Sequence, residues 1–191
     1  FMKDITWVNS LKLRASYGET GNDQILDSDG YNSYYPFQTL YTLGKNNGTE
    51  PGVFFFDIAN SDLKWETQVS TDFGIEFSLF DRLNGTVEYF KKESKDLLFD
   101  VSQPASAGVT SIIQNIGKVS NSGVEIDLSY DVIKGKNWNL TVGANATFIK
   151  NKIVELPEEM KKDGYIDGSK KWFEGKSIYE FWLRQWYGVD P

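Results

Sequence analysis

The 191-residue sequence predicts an all-β fold, an antiparallel transmembrane β-barrel segment, and three observations carry that expectation. Apolar and polar residues alternate with period two over runs longer than an ordinary strand. The connections between these runs are short and long in turn, and aromatic rings gather near the run ends. Aromatics make up 15% of the chain, and Gly, Asn, Ser and Thr recur, a mixture that favours strands and turns over helices. Lys+Arg number 20 against 27 Asp+Glu, a formal charge of −7, so a nucleic-acid partner is not expected. The absence of His and Cys removes imidazole catalysis, thiol nucleophiles, disulfides and nitrogen- or sulfur-ligated metal sites.

The first strand spans about 7–17, with Leu11, Leu13, Ala15 and Tyr17 on one face and Lys12, Arg14 and Ser16 on the other. The clearest alternation lies at 67–80, where Val69, Phe73, Ile75, Phe77 and Leu79 interleave with Gln68, Ser70, Asp72, Glu76 and Ser78. It resumes after 80–82 with Leu83, Val87 and Tyr89, so a tight hairpin is expected, its parity fixed by pairing Leu79 with Leu83 and Phe77 with Gly85. A second hairpin sets Val124, Ile126, Leu128 and Tyr130 against Trp138, Leu140, Val142, Ala144, Ala146 and Phe148, with its turn within 131–137. Between the five strands, 18–66 and 94–115 are long connections, and everything after Glu155 is long again.

Alternation alone favours a soluble β-sandwich. The strands, however, run past the ~9–11 residues that a bilayer requires, and the connections are segregated by length. Phe80, Tyr130 and Trp138 lie by the short turns, Tyr17 and Phe148 toward the long loops, as two aromatic girdles would. The opening Phe1-Met2-Lys3-Asp4 lacks the features of a secretory signal, and Gly188-Val189-Asp190-Pro191 reads as an uncompleted turn, so the chain reads as an internal piece.

Five stretches in order, LKLRASYGETGN (11–22), SDLKWE (61–66), KDLLFDV (95–101), NIGKVSNSGVEIDL (115–128) and EGKSIYEFWLRQWYGVDP (174–191), closely resemble the outer-membrane transporters of the SusC/RagA type. The resemblance covers nearly the whole chain and falls on a late portion of the barrel. It implies residues 1–191 as a partial barrel domain, five or six strands of about 22, with the plug domain, the TonB box and the final strands not included. It further implies TonB-dependent import of an oligosaccharide or oligopeptide across the Gram-negative outer membrane. The implied partners are a SusD-like surface lipoprotein, the TonB complex, outer-membrane lipid and the substrate itself. A passive porin and a secreted carbohydrate-binding β-sandwich are the alternative functions.

No enzyme and no cofactor are expected. Asp72, Glu76 and Glu88 share one face of the first hairpin and Glu125 and Asp127 one face of the second, which a polar barrel lumen explains better than a carboxylate pair of a glycosidase. Gly18-Glu19-Thr20-Gly21-Asn22 lacks Gly-Lys-Ser/Thr and is not a phosphate cradle. Four Asn-x-Thr triplets, at Asn47, Asn84, Asn139 and Asn145, include three inside strands and are not read as glycosylation sites.

Two ring clusters can reach a ligand: Tyr31, Tyr34, Tyr35, Phe37 and Tyr41, and Trp172, Phe173, Tyr179, Phe181, Trp182, Trp186 and Tyr187. Rings stack on sugar faces and on peptide side chains, so Tyr34, Tyr35, Trp172, Trp182 and Trp186 are the substrate-contact candidates, with loop packing as the competing explanation. Ile75, Phe77, Val87, Ile126, Leu128, Leu140 and Val142 are expected to face lipid, the short turns to lie at the periplasmic rim, and 18–66, 94–115 and 156–191 to lie outside or folded into the mouth. Rings of both parities at 179–187 argue that 174–191 is a loop, in part a hairpin, and no sixth wall strand.

Overall fold

The computed structural model describes residues 5–25, 32–35, 37–58, 60–104, 106, 108–109, 111–186 and 188. In chain order the elements are β1 (Val8–Asn22), β2 (Leu40–Leu43), β3 (Val53–Asp57), β4 (Glu66–Leu79), β5 (Leu83–Lys95), β6 (Leu98–Ser102), β7 (Ser111–Asn115), β8 (Lys118–Lys134), β9 (Asn139–Glu155), α1 (Glu158–Lys161), β10 (Tyr165–Asp167) and β11 (Lys170–Trp172). The long strands form one five-stranded sheet in the order β1-β4-β5-β8-β9, which is not closed. Contacts divide the chain into two compact units, one of residues 1–19, 69–93 and 120–152, the other of 20–68, 94–119 and 153–191.

In the first unit, the two faces of the sheet differ as the alternation requires. A Cβ on Gly85 would meet the Phe77 ring at 2.5 Å and Leu128 at 2.6 Å, so Phe77 of β4, Gly85 of β5 and Leu128 of β8 share the apolar face. On the other face Lys12 and Arg14 reach Glu76, and Ser16 reaches Asp72. Val69 is the one buried apolar side chain among the unit's described residues, while Leu13, Phe73, Tyr89, Leu128, Val142 and Phe148 are exposed. Water tolerates bare apolar patches of only a few hundred Å². A single sheet carrying this many uncovered rings and aliphatic chains on one side needs an apolar medium there, and hydrocarbon is the medium a β-wall can occupy. No helix among the described residues is long and apolar enough to cross a membrane.

The height of the apolar face fits as well. From Trp138 to Phe148 is 148 − 138 = 10 residue steps. At ~3.4 Å per step and a tilt of ~40°, that is ~26 Å along the normal, against the ~25 Å apolar band of an outer-membrane barrel.

The first short connection is 80–82, as expected, and it is built in an unexpected way. Phe80 (φ 57°) and Asp81 (φ 54°) are both left-handed without being glycine, a conformation that costs on the order of 1 kcal/mol for each such residue. Strand β1 offsets that cost. The Asp81 N–H donates to Asn9 Oδ1 (2.8 Å), the Asn9 amide donates back to the Asp81 carboxylate, and the Phe80 N–H donates to the Trp7 carbonyl (2.8 Å). The Phe80 ring stacks on Trp7 at 5.7 Å, adding Trp7 to the turn-side rings.

The second turn is shorter than 131–137. Strand β8 continues through Lys134, because Thr141 Oγ1 donates to the Asp131 carboxylate (2.7 Å) and the Asp131 N–H to the Arg82 carbonyl (3.0 Å), and Gly135 donates to Trp138 across the turn (3.0 Å).

The strands also outrun their alternation at the other end, β1 to Asn22 and β5 to Lys95, and β8 begins at Lys118. In these stretches polar and small residues predominate on both parities, Val119 apart, so backbone pairing persists where the side-chain pattern has ended. The expected long loops contain hairpins of their own, β2 with β3, β6 with β7 and β10 with β11, all antiparallel. The second unit has a small core at Val101, Ile153, Leu156 and Pro157. There the end of β9 is clasped by the returning chain: Ile153 donates to Lys176 O (2.8 Å), Gly175 to Ile153 O (2.8 Å), and Leu156 N–H to the Glu174 carboxylate (3.0 Å).

Residues 174–186 contain no strand of the sheet, whose order ends at β9. Among the described residues there are five wall strands, and 174–186 run as a loop, as expected of them. Its hairpin lies earlier than the ring pattern suggested, at 165–172, and the segment runs beside it through a Lys170–Phe181 bridge and a Trp182 N–H bond to Ser169 O (2.7 Å).

Candidate functional site

Three groupings of polar and aromatic residues emerge. The first lies on the polar face of the sheet. Arg14 sits between two carboxylates, 3.1 Å from Glu76 and 2.8 Å from Glu88, while Lys12 also reaches Glu76 at 3.3 Å. All four side chains are partly solvated, so each pair contributes at most ~1 kcal/mol and serves chiefly to fix the face. Farther across the sheet Thr86, Glu88, Glu125, Asp127, Asn145 and Thr147 line a shallow depression. The five carboxylates thus share one wet surface, and no three His, Cys, Asp or Glu among the described residues are placed to hold a metal ion. Nothing in this arrangement singles out a proton donor or a nucleophile.

The second grouping explains the sequence motifs of the long connections, for which the residues by themselves supplied no reason. Asn115 at the end of β7 donates to the carbonyls of Lys64 (2.7 Å) and Asp96 (2.9 Å) and accepts the Lys64 N–H (2.6 Å). Glu66 accepts from the Asn22 amide (3.1 Å) and from the Leu98 N–H (3.0 Å). Trp65 lies across Gly21, its Cε3 3.0 Å from where a Cβ would stand, so a larger residue there would have to push the indole aside. Gly117 (φ 134°) is required on two counts, its backbone and the Phe99 ring 2.6 Å from its missing Cβ. Residues from four of the motifs therefore converge on one polar pin, and it ties the two connections at 18–66 and 94–115 together. Trp65, Glu66 and Asn115 were legible as motif members, but their partners lie 19 to 51 residues away.

The third grouping is aromatic. Trp172 is half-buried against Tyr165, with ring centroids 5.4 Å apart, and its indole N–H has no hydrogen-bond partner among the described residues. Trp182 and Trp186 are 56% and 80% exposed, and Phe181 and Tyr179 are exposed beside them. Lys171 Nζ stands 4.4 Å from the Trp182 ring and 4.6 Å from Phe173, and Lys170 Nζ stands 5.5 Å from Tyr179. Tyr34 and Tyr35 are exposed in the connection before β2, with Tyr35 edge-on to Phe37 at 6.3 Å. No ring contact among the described residues joins Tyr34 or Tyr35 to Trp182 or Trp186. Tyr31 and Tyr187 lie outside the described residues.

Comparison with known proteins agrees with this geometry. Residues 4–179 match a family model described as TonB dependent receptor-like, beta-barrel. TonB-dependent receptor P3 of Formosa agariphila is 34% identical over 199 residues, an alignment that takes in 99% of this chain and 19% of that protein. TonB-dependent receptor SusC of Bacteroides thetaiotaomicron is 29% identical, over 93% of this chain and 18% of its own length. Among solved structures, the RagAB peptide transporter superposes with a TM-score of 0.73 at 28% identity, covering all of this chain and 20% of that one. The RagAB peptide importer in its open-open state gives 0.74 at 29% identity, over 93% and 19% of the two chains. The chain spans about a fifth of the length of the relatives it matches.

Proposed function

Because the chain belongs to the TonB-dependent receptor-like β-barrel family, whose SusC and RagA members are outer-membrane proteins, we propose that its five strands serve as part of the wall of an active importer in the Gram-negative outer membrane. The relatives are receptors and transporters, which points away from an enzyme. In this reading the partial barrel domain at 1–191 works with a plug, a TonB box and further strands, with TonB supplying energy and a SusD-like lipoprotein closing over the cargo.

The observation that carries the proposal is the division of the sheet into a bare apolar face and a charged one, for only a wall between lipid and water needs both. The short turns at 80–82 and 135–138 then lie at the periplasmic rim, and the connections bearing the pin and the exposed rings lie on the outside. Cargo is an oligosaccharide or an oligopeptide. The RagAB relatives are described as peptide transporters, which supports the second, and exposed Trp and Tyr faces suit either.

The test is growth of a strain carrying the full-length receptor on a casein digest and on a mixed oligosaccharide hydrolysate. A Trp182→Ala, Trp186→Ala variant that reaches the membrane in normal amount is expected to lose growth on one of the two. Unchanged growth on both would remove these rings from the cargo path.

A further inference from the structure

Resting on the reading that the exposed rings at 179–186 meet cargo, we propose that Lys171 is a positioning residue, setting the orientation of the Trp182 indole by seating its ammonium on one face of the ring. Strand β11 places Lys170 and Lys171 on opposite sides, and the chain returning at 179–182 lays a ring on each: Tyr179 under Lys170, and Trp182 with Phe173 about Lys171. Lys171 is half-buried, and among the described residues no carboxylate pairs with it. The nearby Glu180 is taken by Lys176 at 3.3 Å. Ring faces therefore supply the compensation that an acid would supply elsewhere, through the negative charge at the centre of each aromatic face.

The main chain of Trp182 is fixed by its bond to Ser169 O, but its side chain is 56% exposed, and the ammonium of Lys171 makes its one aromatic-face contact among the described residues. Without that contact the indole samples several rotamers, and ordering it becomes part of the cost of binding. With it, one face is held and the opposite face stays open for stacking. Trp186, 80% exposed, has no such support among the described residues, so the two tryptophans are unequal.

The experiment uses the full-length receptor labelled with 5-fluorotryptophan in detergent, with the Trp182 fluorine resonance assigned by its loss in Trp182→Phe. Lys171→Met keeps the stem and removes the charge; Lys171→Arg keeps both. The Trp182 resonance is expected to broaden and move toward free 5-fluorotryptophan in the Met variant and to stay in place in the Arg variant. Growth-limiting uptake on the casein digest or the oligosaccharide hydrolysate should fall about threefold or more with Met and recover with Arg, at equal amounts of heat-modifiable folded receptor. An unmoved resonance in the Met variant overturns the proposal. So does normal uptake by the Met variant when Trp182→Ala has lost it. Normal uptake by Trp182→Ala itself overturns the cargo reading instead, and the fluorine spectrum still decides whether Lys171 holds the ring.

Discussion

Leu128→Arg tests the lipid-facing surface where it is most demanding. The apolar run on β8 extends from Val124 through Ile126, Leu128 and Tyr130 to Val132, which is 132 − 124 = 8 steps with Leu128 at its midpoint. At ~3.4 Å per residue and ~40° of tilt, the run rises ~21 Å, so Leu128 stands ~10 Å from either end. An arginine at the bilayer midplane of a barrel costs ~2–4 kcal/mol, and one near the interface ~0–1. Leu128→Arg should therefore destabilise by ~2–4 kcal/mol and Val132→Arg by less than ~1, although both are leucine- or valine-sized positions on one face of one strand. Leu128→Met, which keeps an apolar chain over Gly85, should cost less than ~1.5 kcal/mol. The neighbouring Asp127→Asn, on the charged face, should cost almost nothing. The assay is reversible guanidinium unfolding of the full-length receptor in phosphocholine vesicles, followed by heat-modifiability on gels. Equal penalties at 128 and 132, or a larger penalty at 127 than at 128, would refute the assignment of faces.

Three further predictions address the turns and the connections. A Cys at Asn47 should be labelled by an impermeant maleimide on intact cells while a Cys at Gly135 stays silent; the opposite result inverts the orientation. Asn115→Ala strands the Lys64 N–H and the carbonyls of Lys64 and Asp96, so the connection at 60–66 should lose about 1–3 kcal/mol of local protection, read as faster hydrogen exchange at the Lys64 amide. Gly117→Ala meets both a disfavoured φ and the Phe99 ring, and should lower the unfolding free energy by roughly 1–3 kcal/mol, whereas Gly18→Ala, in open space, should be close to neutral.

What could be read from the residues follows from what surrounds each strand. Between Phe73 and Leu79, or Leu140 and Phe148, one side chain in two meets lipid and the next meets water, and that contrast writes the period into the sequence. At 18–22 and 118–123 polar and small residues occupy nearly every position on both parities, the contrast fades, and the strand continues unseen. The hairpins in the connections were hidden for another reason. Their strands are three to five residues long, as in Tyr165–Asp167 and Leu98–Ser102, too short for a period to register. The candidate rings could be named by type alone. Which of them is held was not legible, because Lys171 and Trp182 meet across a reversal of the chain. Asn115 likewise looks like any loop asparagine until Lys64 is brought to it.

The left-handed turn at Phe80 and Asp81 bears on how this chain can change over evolutionary time. Its support comes from Asn9 and Trp7, 72 and 73 positions earlier, and not from anything between them. Alignment of β1 with the first hairpin is thus keyed at the turn end, by residues that no insertion or deletion in the 23–65 stretch displaces. Mutation can lengthen, shorten or replace that stretch without shifting which side chains greet lipid and which greet water. Variation can therefore accumulate in that stretch while the two-faced wall is inherited intact.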